Sequence, residues 1–167
     1  MRAVVDRFRA AGIAVCEFRR GDFWALVAPA HGLRLLQVGY GEETFLWNNE
    51  RPSADDWCIG GSRTWLSPEF SNPHSRHDGL FDSGDGNWTV PAGLDPGPYR
   101  SRRTAETAWT GSTRVRLSPP SPGPPQNVLL EREIRISKVP DNDIDAAEIT
   151  VRQRITNADP ARYLEGI

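Results

Sequence analysis

The chain has 167 residues, 20 basic and 22 acidic, with a formal net charge of −2; 38% of it is hydrophobic and 25% charged. That is enough chain for one domain with a real core, and too apolar for a disordered one. The near-neutral balance gives no reason to expect nucleic acid or an anionic membrane as partner, and 15 glycines with 14 prolines favour turns over long helices.

Residues 3–11 carry Val4, Phe8 and Ala11 on one helical face, and Gly12 follows as a stop. Ile13–Phe18 and Phe23–Ala28 then read as two strands around a turn at Arg20-Gly21-Asp22. His31-Gly32 is a second turn. Leu33, Leu35 and Leu36 begin a third strand that ends in the Gly39–Gly41 bend, and Thr44–Trp47 is a short fourth.

Residues 50–58 are polar and lead into Gly60-Gly61-Ser62-Arg63-Thr64-Trp65-Leu66-Ser67-Pro68-Glu69-Phe70. Two glycines there permit a tight turn or a close approach. Arg63 offers a guanidinium fork and Trp65 an apolar face, a combination suited to a polyhydroxylated ligand. From Ser71 to Arg103 periodicity all but vanishes. A loop of that length in a compact domain is often functional. Trp88, Val90, Leu94 and Tyr99 punctuate it and are expected to dock parts of it on the core.

Alternation returns with Thr113, Val115 and Leu117 on one face and Arg114 and Arg116 on the other. The proline-rich run at 119–125 is a stiff surface connection. Val128 to Val139 is a long strand, with Ile134 and Ile136 opposite Arg135. Its expected partner is Ala147–Thr156, where Ile149, Val151 and Ile155 alternate with Thr150, Arg152 and Arg154. The reading is all-β: an antiparallel β-sandwich with one short N-terminal helix, as a single domain over 1–167.

Three stretches together resemble the galactose mutarotase-like superfamily: Pro29–Leu36, Phe45-Leu-Trp-Asn-Asn49 and Gly60–Glu69. The strand Glu148–Asn157, ending in Thr-Asn, is similar to one those proteins carry before the sugar cleft. The resemblance spans about residues 25–157. It implies a large antiparallel sandwich that binds a sugar or sugar derivative in a groove of one sheet, without a cofactor. In the aldose epimerases of that superfamily a histidine acid and a glutamate base open and reclose the sugar ring. The histidine would follow Thr156-Asn157, and Ala158–Ile167 contain none. The expectation is therefore a partial domain, roughly the N-terminal half of a supersandwich, that binds carbohydrate without evident catalysis. An aldose 1-epimerase-like isomerase with its catalytic half missing, and a structural fragment whose open sheet edges self-associate, are the competing readings.

The substrate-binding candidates are Arg63, Trp65, Glu69 and Trp88. Each has a structural alternative: an ion pair for Arg63 and Glu69, a core position for Trp65, and a loop anchor for Trp88. His74 and His77 have a spacing that could place two metal ligands on one helix face, with Asp82 or Asp85 completing the shell. But the segment reads as loop with no third histidine or cysteine nearby, and Asp82 to Asn87 lack the spacing of a calcium loop, so no metal is expected. Cys16 and Cys58 are too few for a disulfide framework and are expected to be reduced. No apolar signal core opens the sequence and no run reaches the roughly 20 residues of a membrane span, so a cytoplasmic location is expected.

Overall fold

A computed structural model describes residues 1–56, 58–64, 93–95, 97–117, 126–138 and 147–159. Helix α1 (Arg2–Ala10) is followed by β1 (Cys16–Arg20), β2 (Phe23–Ala28), β3 (Arg34–Tyr40) and β4 (Glu43–Thr44). Then come β5 (Arg100–Ala105), β6 (Ala108–Leu117), β7 (Gln126–Lys138) and β8 (Ala147–Asn157). The strands form two antiparallel four-stranded sheets, β1–β4 and β5–β8, each in chain order. This is the all-β sandwich with one short helix that the alternation patterns predict.

The central strands of sheet β1–β4 are covered on both faces, while β1 and β4 at its edges stay largely exposed. All six residues of β2 are buried. Phe23, Ala25 and Val27 face the second sheet, while Trp24, Leu26 and Ala28 pack under α1 with Val5, Phe8, Ile13, Leu36 and Ile59. A strand with no solvent face reads as an unbroken apolar run. The helix is nine residues long with no side-chain N-cap, too short to persist unaided, so packing through Val5 and Phe8 holds it. Its end is well specified. Gly12 (φ 77°) donates to Arg9 O at 3.0 Å, and Ile13 donates to Phe8 O at 3.0 Å. Phe8 and Ile13 are both buried in the same cluster, the apolar contact that accompanies this glycine cap.

A bulge interrupts the β2–β3 pairing. Leu26 pairs with Gln37 and Val27 with Leu35, leaving Leu36 as the extra residue. Buried Gln37 satisfies its amide by accepting from Leu46 N at 2.8 Å and donating to Leu46 O at 2.5 Å. One further backbone bond, Phe45 N to Val38 O at 2.9 Å, follows Thr44; at Leu46 the Gln37 side chain takes the place of the ladder, and β4 ends at Thr44 where the sequence predicts a strand to Trp47.

Sheet β5–β8 buries one face only. Trp109, Val115, Leu117, Val128, Leu130, Ile134 and Ile136 fill the space between the sheets, with Leu94 and Tyr99 docked among them as expected. Strand β5 begins inside the stretch read as lacking periodicity. Only Ser101 of its six residues is not exposed, so an edge strand had no apolar alternation to display. Among the described residues, no helix is long and apolar enough to cross a membrane.

Candidate functional site

The double-glycine bend lies between the two sheets, clamped by arginines. Gly60 and Gly61 have φ of 91° and 77°. A Cβ on Gly60 would stand 2.4 Å from Trp47 O, and one on Gly61 2.5 Å from Leu35 O, so only glycine fits the close approach. From β3, Arg34 donates to Gly60 O at 2.9 Å. From β7, Arg132 donates to Ser62 O at 2.9 Å, Ser62 Oγ at 3.2 Å and Thr64 Oγ1 at 3.2 Å. Tyr99 OH also donates to Thr64 Oγ1, at 3.4 Å.

Asp95 receives two guanidiniums. Arg34 Nη2 donates to its Oδ1, and Arg63 Nη1 to its Oδ2 at 3.3 Å. Arg34 and Asp95 are sealed, whereas the Arg63 side chain keeps 27% of its surface. Burial pushes the Asp95 carboxyl up, and Arg34 and then Arg63 pull it back. Burial likewise lowers Arg34, against the attraction of Asp95. Arg132 is pushed down to about 10 by burial and remains cationic at neutral pH. A buried carboxylate needs such partners, because an uncompensated charge there is costly.

Of the predicted binding residues, Arg63 is thus tied into this cluster through Asp95. Trp65, Glu69 and Trp88 lie outside the described residues, as do His74, His77, Asp82 and Asp85. Cys16 and Cys58 are free, half-buried thiols. Sequence reasoning passed over Arg34, Asp95 and Arg132. Arg132 alone left a signal, since it stands in phase with Leu130 and Ile134 on the inward stripe of β7.

The outer face of β5–β8 carries a different constellation. Antiparallel register aligns Arg102, Thr110, Glu133 and Arg152 in one row across the four strands. It aligns Arg100, Ser112, Glu131 and Arg154 in the next. With neighbouring strands about 4.8 Å apart, each row spans roughly 14 Å, longer than one sugar ring. The two rows line a groove of about 940 Å³. Four guanidiniums against two carboxylates leave it cationic. Glu133 accepts from Arg135 at 2.9 Å and lies 4.0 Å from Arg152. Glu131 is a second acceptor, and the arginine termini supply forked donors, which match carboxylate, phosphate and vicinal hydroxyl oxygens. Arg132 also borders the groove, but its side chain points to the opposite, inner face of the sheet, where it holds the bend carrying Arg63.

Comparison of the chain with protein-family models, with curated proteins and with solved structures gives no match in any of the three.

Proposed function

We propose that the protein binds a carbohydrate bearing acidic groups on the outer face of β5–β8, as a sandwich of the galactose mutarotase-like type, and that its role is binding rather than ring opening. The observation that carries this reading is the pair of Arg–hydroxyl–Glu–Arg rows lining one groove. Guanidinium forks hold the acid, and Thr110, Ser112, Glu131 and Glu133 take sugar hydroxyls. The position of Glu133 between Arg135 and Arg152 suits an acceptor that orients a ligand. Arg63 lies on the other side of that sheet, tied to Asp95, and is not among the residues lining the groove.

Calorimetric titration with galactose, galacturonate and galactose 6-phosphate tests it. The acidic sugars are expected to bind at least about tenfold more tightly than galactose, a difference of about 1.4 kcal/mol. The Arg152→Ser/Arg154→Ser variant should lose that preference while keeping its β-sheet circular dichroism. Absence of binding by all three sugars, or an unchanged preference in the variant, overturns the reading.

A further inference from the structure

Trp47 and Phe45 are each 65% exposed, more than any other large hydrophobic side chain among the described residues. An indole left in water on a well-anchored segment invites explanation, because the anchoring here is extensive. Trp47 O accepts from Gly61 N at 2.9 Å. Asn48 Nδ2 donates to Leu36 O at 2.8 Å, and its Oδ1 accepts from Gln37 at 2.6 Å. Asn49 Nδ2 donates to Cys58 O at 3.1 Å. Both residues flanking the exposed ring on its C-terminal side therefore spend their amides on fixing the backbone. The backbone that carries the ring thus has its ordering cost met before any ligand arrives.

The surroundings are polar. Trp47 borders a hollow of about 690 Å³ that also receives Arg7 from α1, Thr44, Glu50 and Arg51. Among the described residues neither Arg7 nor Arg51 has a carboxylate partner within ion-pair distance. Two open guanidiniums, a carboxylate, a hydroxyl and a flat apolar face form a set that neither a core nor a dry protein contact requires. Together they match a sugar ring with one acidic substituent: C–H groups on the indole, the acid on the forks, and hydroxyls on Thr44 and Glu50.

We infer that Trp47 is the platform of a second saccharide site, which takes a pyranose carrying a carboxylate between the indole and the guanidiniums of Arg7 and Arg51. The site lies against α1 and the β3–β4 end of the first sheet and shares no lining residue with the groove on β5–β8. It stands without that groove, and the two can fail separately.

The test uses the full chain and the α-1,4-linked trisaccharide of galacturonic acid, with its methyl ester as the uncharged counterpart. Binding is followed by calorimetry. Trp47→Ala, at an exposed position, should weaken trisaccharide binding about tenfold in a background where the groove has been disabled by Arg152→Ser/Arg154→Ser. In that background the Arg7→Ala/Arg51→Ala variant should bind acid and ester equally, whereas the intact hollow prefers the acid. Loss of all binding on disabling the groove, with the Trp47 hollow intact, sinks the inference and leaves the groove reading standing. Binding that survives the groove variant but ignores Trp47→Ala sinks it too. So does a fall in the sedimentation coefficient of the sugar-free protein on Trp47→Ala, which would assign the ring to contact between copies.

Discussion

The two sheets use similar strands to opposite ends. The centre of sheet β1–β4 is enclosed between α1 and its partner sheet, and β2 has no residue free to change without disturbing one packed layer or the other. Sheet β5–β8 packs one face and leaves the other in water, where β6 alternates buried and open positions from Thr113 to Leu117. Enclosure makes the first sheet a scaffold, and exposure lets the second carry arginine and glutamate rows at no cost to the core. Function, on this comparison, belongs where side chains are not committed to packing.

Mutations on either side of that divide should differ sharply. The largest effect is expected for Arg34→Ala, which takes the sealed guanidinium from Asp95 and should cost about 3–5 kcal/mol in urea unfolding. Arg63→Ala leaves the Arg34–Asp95 pair in place and should cost about 1 kcal/mol or less; equal losses would erase the distinction between strut and contact. Leu26→Ala, fully buried under α1, should cost about 2–5 kcal/mol. Gly39→Ala would bring a methyl 2.2 Å from the Trp24 ring and 2.5 Å from Glu43 O, an overpacking of about 1–3 kcal/mol. Truncating Trp24 should show coupling with it in a double-mutant cycle.

Smaller still is a pH effect at His31. Burial, and then Arg34, hold its pKa below the ordinary 6.5, against Asp95 and Asp55. Above pH 6.5 the imidazole is neutral whether the chain is folded or not. As pH falls below 6.5 the unfolded chain takes up the proton first, so stability drops until the folded-state pKa is passed. His31→Gln should flatten that slope in thermal melts between pH 7 and pH 5. The smallest effect on stability belongs to Arg152→Ala, exposed on the outer face, which should stay within about 0.5 kcal/mol of the parent. A large loss there would mean the rows hold the sheet together.

Much of this division was legible from alternation alone. Arg114, Arg116 and Arg135 fall on the water side of their strands as the two-residue period requires, whereas Arg152 and Arg154 lie in a part of β8 exposed from 152 to 156, Ile155 included, so the alternation expected there does not appear in the burial. The facing of Glu131 with Arg154, and of Glu133 with Arg152, was not legible, because register is a property of two strands together. Nor was the Arg34–Asp95 pair, whose members are 61 positions apart in chain segments with no shared pattern. The Gly60–Gly61 bend was identified as a place of close approach, and it is one. What approaches it is backbone and two buried guanidiniums, so the sequence identified the constraint without its cause.

Apolar layers attract without regard to alignment, and greasy faces alone would let one slide over the other. Arg132 forbids it. Rooted in β7, it is hydrogen-bonded at its far end to Thr64 and to Ser62, which is bridged to Leu35 in the opposite layer, so it ties one board to the other. With the Arg34–Asp95 pair, it gives the apolar contact between the layers a direction, and any surface on the outer boards inherits that alignment.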